Sequence, residues 1–156
     1  MAKNTFKLNY KDEALDELIK NANHKALATW AVGCVERVMP LFEEKYPDDK
    51  RPREALVTLK AWILTGIFRM NVIRASSLSA HAAAREVGED NAARSVARAA
   101  GQAVASAHVR THALGASLYA LQAIHRASNE LHADAAVTKE REWQRKYLNG
   151  LSSITL

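Results

Sequence analysis

The residues of this chain best suited to chemistry are histidines, and two of them, His108 and His112, are four residues apart. On an unbroken helix this spacing places both imidazoles on one face, where they could bind one metal ion. The intervening Val109-Arg110-Thr111 lacks the glutamate of the zinc-protease motif, and an arginine disfavours a nearby dication. His81 and His125 could complete such a site if the fold brought them close. The alternative, which we favour, is that the histidines form hydrogen bonds between helices or line a shallow surface.

No other set of residues has the pattern of an active site. Cys34 lies on an apolar stripe with no positively charged neighbour, which is typical of a buried structural thiol and not of a nucleophile. The serines match no nucleophile motif, and the chain has no phosphate loop, dinucleotide fingerprint or calcium loop. We therefore expect no catalysis, no metal and no cofactor.

Arginines around the middle of the chain could form a basic strip: Arg85, Arg94, Arg98, Arg110 and Arg126. Nucleic-acid binding usually needs denser basic clusters with interleaved aromatic residues. Aromatic residues make up only 6% of this chain, and its charges look interspersed. The pattern favours a solvated face and disfavours a nucleic-acid partner.

Two aromatic residues near the C-terminus could bind another protein. Trp143 stands between charged residues in KEREWQRKY, whereas Trp30 and Trp62 are expected in the core. A large aromatic side chain at a surface can anchor an interface, although Trp143 could instead close the helical bundle. The candidate binding residues are therefore His81, His108, His112, Trp143 and Tyr147.

The alanine-rich stretch 91–127 must position most of these side chains. Its apolar residues recur at helical spacing and it contains no proline, which predicts two central helices over 92–108 and 112–127 with a break near Thr111. One bent helix is the alternative. The buried stripe of the first is expected at Ala93, Val96, Ala97, Ala100 and Val104, and that of the second at Leu114, Leu118, Leu121 and Ile124.

Helical patterns also fill the rest of the chain, and no segment alternates like a strand. Helices are predicted over 12–20, 24–39, 72–87 and 129–148, and from Asp48 or Asp49 to Gly66, with a further turn or two after Pro40. Asn71 is expected to cap the 72–87 helix, and Gly88 to end it. The fold is therefore predicted to be all-α, a single compact bundle of six to seven helices, partly orthogonal, around the alanine-rich pair.

Length and composition indicate the number of domains, the cellular compartment and the charge of a possible partner. Its 156 residues, 48% of them hydrophobic and 25% charged, suit one domain over 1–156 with loosely ordered ends at 1–10 and 149–156. A single cysteine and the lack of a secretory signal favour the cytoplasm. No apolar run approaches the roughly 18 residues that cross a bilayer. The net charge of +5 permits an anionic partner.

The chain resembles the immunity proteins of bacterial polymorphic-toxin systems, a small all-helical family. The matching pieces are LFEEKYPDDKRPREAL, SAHAAARE, ARAAGQAVASAHVRTHALGASLYAL and EREWQ, which span about 26–147. The resemblance implies a helical domain that binds a protein, a cognate toxin, without a reaction or cofactor, and it implies no particular site residues. Because inhibitors of nucleases are commonly acidic, the net charge of +5 favours a toxin that is neutral or acidic where it is contacted.

Overall fold

The computed structural model describes residues 6–8 and 11–152, and eight α-helices lie within them. They are α1 (Glu13–Asn21), α2 (His24–Glu36), α3 (Pro40–Glu43), α4 (Arg51–Thr65), α5 (Met70–Glu86), α6 (Ala92–Ala105), α7 (His112–Ala127) and α8 (Ala133–Ser152). The described ranges contain no strand, so the all-α prediction is confirmed. The predicted count of six to seven helices is slightly low, because the turn after Pro40 is long enough to form α3. None of the helices described is long and apolar enough to cross a membrane.

Helices α6 and α7 form the centre of the bundle, as two helices and not as one bent helix. Asn91 caps α6, and its side chain accepts a hydrogen bond from the backbone N–H of Arg94 at 3.0 Å. Helix α6 packs against α2, α3, α4, α5 and α7. The central position of the alanine-rich pair is thus confirmed.

The two central helices differ in how well their buried faces were predicted. The whole predicted stripe of α6 is buried. On α7 the fully buried side chains are mostly small, whereas Leu114, Leu118 and Ile124 are only half-buried. The predicted leucine stripe is therefore only partly right: Leu121 is buried and Leu114 and Ile124 pack against the edge of the core, because methyl-sized side chains let α7 pack closely on α6. The buried alanines of α7 are Ala113, Ala116, Ala120 and Ala123.

Glycines end two helices where the sequence predicts it. Gly66 follows α4 at φ 70°, and Gly88 follows α5 at φ 80°, both in the left-handed region that glycine tolerates. The predicted cap at Asn71 is wrong, because α5 begins at Met70 after Arg69, which makes no side-chain cap bond. At the start of α4, the Asp49 carboxylate accepts a hydrogen bond from the Arg51 N–H at 3.1 Å.

The last helix is shifted from its predicted range. It begins at Ala133, after a turn in which the Asn129 side chain accepts a hydrogen bond from the His132 N–H at 3.0 Å. It continues to Ser152, so the loose end expected from residue 149 is wrong for 149–152. Residues 153–156 lie outside the described part of the chain, as do 1–5 and 9–10 of the expected lead-in.

Helix α2 runs through the core with most of its side chains buried. The Trp30 indole N–H donates a hydrogen bond to the Gln144 carbonyl at 2.9 Å, which ties α2 to α8. Cys34 is fully buried, and this burial raises the pKa of its thiol well above the ordinary value, which confirms a structural role. Trp62 is only half-buried, with its ring 4.7 Å from that of His24, so its expected place in the core is partly wrong.

Candidate protein-binding surface

Exposed apolar side chains are concentrated on α4, α5 and the connection between them. Of the eight large hydrophobic residues that are exposed in the described part of the chain, six lie there: Val57, Leu64, Ile67, Phe68, Val72 and Leu78. We call these six the hairpin surface. Single exposed hydrophobic residues are normal, but a cluster of them is typical of an interaction site.

The sequence builds this surface by turning the chain sharply at Gly66. Val57 and Leu64 are seven residues apart, two turns of α4, and therefore share a side of that helix. Ile67 and Phe68 follow in the connection before α5. The Phe68 ring stacks on His108 with centroids 6.0 Å apart, so the hairpin rests on the turn between α6 and α7.

Two clefts flank Ile73, the residue that fixes α5 to the core beneath the hairpin surface. The cleft between α4 and α5 has a volume of about 400 Å³, and its walls include Val57, Ile67 and Arg69. A smaller groove of about 150 Å³ lies between α5 and the end of α6. Its lining is Met70, Ile73, Arg74, Ser77, Leu78, Ala105 and His108. Each cleft therefore combines apolar walls with one arginine.

The net positive charge of the chain lies in the part of the sequence that contains this surface. Neither 55–85 nor 91–129 contains an aspartate or glutamate. Residues 55–129 together hold eight Lys and Arg and only three acids, Glu86, Glu89 and Asp90, a formal charge of +5. That equals the net charge of the whole chain, so the remaining residues balance.

Half of those eight basic side chains are engaged inside the molecule. Lys60 forms an ion pair with Glu36 at 2.7 Å, and Arg94 one with Asp90 at 3.0 Å. Arg126 donates a hydrogen bond to the Ser95 hydroxyl at 2.9 Å, and Arg110 donates to carbonyls at the end of α1. The other four make no ion pair or hydrogen bond with any residue in the described ranges. We call Arg69, Arg74, Arg85 and Arg98 the arginine set.

The candidate histidines do not converge: His81, His108 and His112 lie along the edge of this region, and His125 does not. His108 lies in the turn before α7 and His112 is the first residue of α7, so the argument from one unbroken helix does not apply. The His112 Nδ1 atom is 2.8 Å from the Gln102 side-chain oxygen. Within the described residues, no three histidine, cysteine or acidic side chains are grouped so that they could hold a metal ion. His125 lies elsewhere, with its ring 5.8 Å from that of Phe6.

His81 is packed tightly between α5 and α6. A Cβ atom built on Gly101 would lie 2.6 Å from the His81 Nε2 atom, so the imidazole occupies space that only a glycine leaves. Burial lowers the pKa of His81, and the positive charges of Arg98 and Arg85 lower it further. Both effects favour the neutral imidazole.

Trp143 and Tyr147 lie on a second surface, on α8. The Trp143 ring is half-buried, with the Arg37 guanidinium 4.0 Å from its centroid and the Tyr147 ring stacked at 5.1 Å. Arg37 also forms two hydrogen bonds to the buried Glu140 carboxylate, at 2.7 and 2.8 Å. Burial raises the pKa of Tyr147, whose ring fills the space beside Gly33. We call Arg37, Glu140, Trp143 and Tyr147 the α8 aromatic face.

Sequence reasoning missed the hairpin surface, although one signal of it was available. Leu64, Ile67 and Val72 have the residue types of a core, so their exposure cannot be read from type alone. The absence of acids over 55–85 and 91–129, however, is visible in the sequence, and it contradicts the impression that charges are evenly interspersed.

The fold and this surface define an all-α protein that exposes apolar side chains beside arginines with no ion pair or side-chain hydrogen bond to the described residues. Residues 17–151 match the family described as Imm-5 like putative immunity protein, and the chain belongs to this family. Neither a curated protein nor a solved structure matches the chain. The match includes the hairpin surface and the α8 aromatic face, and the resemblance seen in the sequence is confirmed.

Proposed function

We propose that the protein is an immunity protein that neutralises a cognate toxin by covering it with the hairpin surface. Family membership supports the class of function. The observation that carries the choice of surface is the clustering of six exposed apolar side chains next to Arg69 and Arg74. Neutralisation here needs only binding, with no reaction, and the unpaired Cys34 suits a reducing compartment such as the cytoplasm.

The hairpin surface has enough apolar area to contribute much of the required affinity. Leu64, Ile67 and Leu78 are 84%, 63% and 59% exposed. Burying a leucine or isoleucine side chain gives about 1.5–3 kcal/mol, so these three could supply several kcal/mol of the roughly 12 kcal/mol that nanomolar binding needs. Because Leu56, Leu59 and Ile73 fix the hairpin to the core, little ordering is needed on binding.

The other candidate residues divide between the two surfaces. His108 supports Phe68 and lines the groove beside α5, so we assign it to the edge of the interface. His81 lies further along, between α5 and α6, and His112 connects the start of α7 to Gln102 on α6. We assign Trp143 and Tyr147 to stability, because Arg37 and Gly33 already provide their contacts.

The experiment measures binding of a Leu64→Ser, Ile67→Ser double variant to the product of the adjacent gene, which we expect to be the toxin, by isothermal titration calorimetry. We expect the affinity to fall at least ~100-fold, because two central apolar contacts are lost. The Tm should stay close to that of the wild type, since both side chains are exposed in the free protein. Protection of cells from the toxin should fail in parallel.

The matched control is Leu131→Ser, which changes a leucine that is 85% exposed in the turn between α7 and α8. It should leave affinity and protection unchanged. Equal loss in the control would show that exposed leucines matter wherever they lie. A wild-type protein that does not bind the adjacent gene product, or a gene neighbour that is no toxin, would overturn the proposed function itself.

A further inference from the structure

We infer that the toxin presents an acidic protein surface to this molecule, with carboxylates opposite the arginine set and apolar side chains opposite the hairpin surface. This inference rests on the proposed function and adds the chemistry of the partner. It depends on where the charges lie and on which of them have internal partners.

The arginine set has no ion pair among the described residues, unlike arginines elsewhere in the chain. Arg37, Arg51 and Arg53 each form ion pairs with carboxylates at 2.7–2.8 Å. Residues 55–85 and 91–129 contain no carboxylate, and Glu86, which follows Arg85, is paired with Arg51. An arginine that is covered by a partner without gaining a carboxylate loses hydration with no compensation. The partner must therefore supply the acids.

The placement of these arginines matches the apolar surface. Arg69 lines the cleft on one side of Ile73, and Arg74 lines the groove on the other side. Arg85 lies eleven residues after Arg74, three turns further along the same side of α5. Arg85 lies one turn after His81 on α5, and Arg98 is on the adjacent helix α6; the positive charges of both lower the pKa of His81. A partner seated on the hairpin thus meets positive charge on both sides.

A nucleic acid is also anionic, but the apolar part of this surface does not suit one. Base recognition on single strands depends on exposed aromatic rings for stacking. Five of the six residues of the hairpin surface are aliphatic, and the ring of the sixth, Phe68, is already stacked on His108. Aliphatic side chains between arginines fit a protein with an apolar centre and an acidic rim.

The experiment measures the association rate constant with the toxin domain encoded next to this gene, between about 25 and 300 mM NaCl. The test variant changes the whole arginine set to glutamine. For the wild type we expect the rate constant to fall roughly tenfold or more with salt, since opposite charges steer the encounter. The variant should bind at least ~10-fold more slowly at low salt and respond weakly to salt.

The control variant removes the same number of charges from other helices, as Lys20→Gln, Lys25→Gln, Lys139→Gln and Lys146→Gln. It should keep most of the wild-type rate and salt dependence, and circular dichroism should show both variants folded. A wild-type rate that salt does not change, or a control as slow as the test variant, would overturn the inference. If the Leu64→Ser, Ile67→Ser variant still loses binding in that case, the proposed function stands without the acidic partner. Tighter binding of the wild type to a random DNA duplex of about 20 base pairs than to the toxin, at physiological salt, would also overturn it.

Discussion

The hairpin surface and the α8 aromatic face use similar residues in opposite ways. Both place large apolar side chains next to arginines outside the core. At the α8 aromatic face, the Arg37 guanidinium lies over the Trp143 ring and forms an ion pair with Glu140. On the hairpin, Leu64 is 84% exposed and the nearby Arg69 has no counter-charge in the described part of the chain. An apolar side chain that is buried within the chain stabilises the fold. One that stays exposed can instead contribute its free energy of burial to the binding of a partner.

A small residue explains why the α8 aromatic face is covered within the chain. Tyr147 can lie against α2 because position 33 is a glycine. At the α4–α5 connection Phe68 stacks on His108, but Leu64 and Ile67 remain 84% and 63% exposed. Two surfaces of comparable composition can thus be separated by measuring stability and affinity on the same variants.

Trp143→Ala should have the largest effect on stability. Removing a buried tryptophan side chain costs about 3–5 kcal/mol, and since this ring is only half-buried we expect about 2 kcal/mol. Urea denaturation followed by circular dichroism gives the value, and calorimetry on the same sample should give a toxin affinity within about twofold of the wild type. A variant with unchanged stability and weakened binding would reverse the comparison and make Trp143 the anchor.

Gly33→Ala should destabilise the protein by a smaller amount, about 1 kcal/mol. The new methyl group would overlap the Tyr147 ring, and this overpacking outweighs the gain in helix propensity of roughly 0.5–1 kcal/mol. The sign should invert in a Tyr147→Ala background, where the space is open and only the helix propensity remains. If Gly33→Ala is equally harmful in both backgrounds, the two residues are not in contact and the α8 aromatic face is packed differently.

The sequence predicts the parts of this molecule that depend on one helix at a time. Gly66 and Gly88 end helices through their own backbone freedom, and the stripe from Ala93 to Val104 follows from spacing within α6. Both features depend on residues close together in the sequence, so they can be predicted without knowing which helices pack against them.

Features that depend on which helix packs against a given side chain could not be predicted in the same way. On α7 the ranking of residues by hydrophobicity favours the leucines, but close approach to α6 selects the alanines. Likewise, Leu64 and Trp62 both have core residue types, but Leu64 is 84% exposed and Trp62 is half-buried against His24 of α2. The candidate histidines and aromatics belong to this second group, and their roles remain predictions.

The smallest expected effect on stability comes from His81. Its ring packs against Gly101 in the same way as the Tyr147 ring packs against Gly33, so His81 tests whether this part of α5 is covered within the chain like the α8 aromatic face. The pKa of His81 is lowered in the folded protein, so below the ordinary value of about 6.5 the unfolded chain binds more protons. His81 therefore does not change the free energy of unfolding near pH 8, where it is neutral in both states. As the pH falls from about 7 to 5, it lowers that free energy. The slope cannot exceed about 1.4 kcal/mol per pH unit for a single group.

The slope is measured by urea denaturation at several pH values. His81→Gln should remove it, because glutamine does not titrate, and Arg98→Gln should reduce it by less, because burial is the larger cause of the lowered pKa. If His81→Gln keeps the wild-type slope, the imidazole is as open to water as the hairpin leucines. The packed region would then end at α6, and the surface available to a partner would extend along the whole of α5.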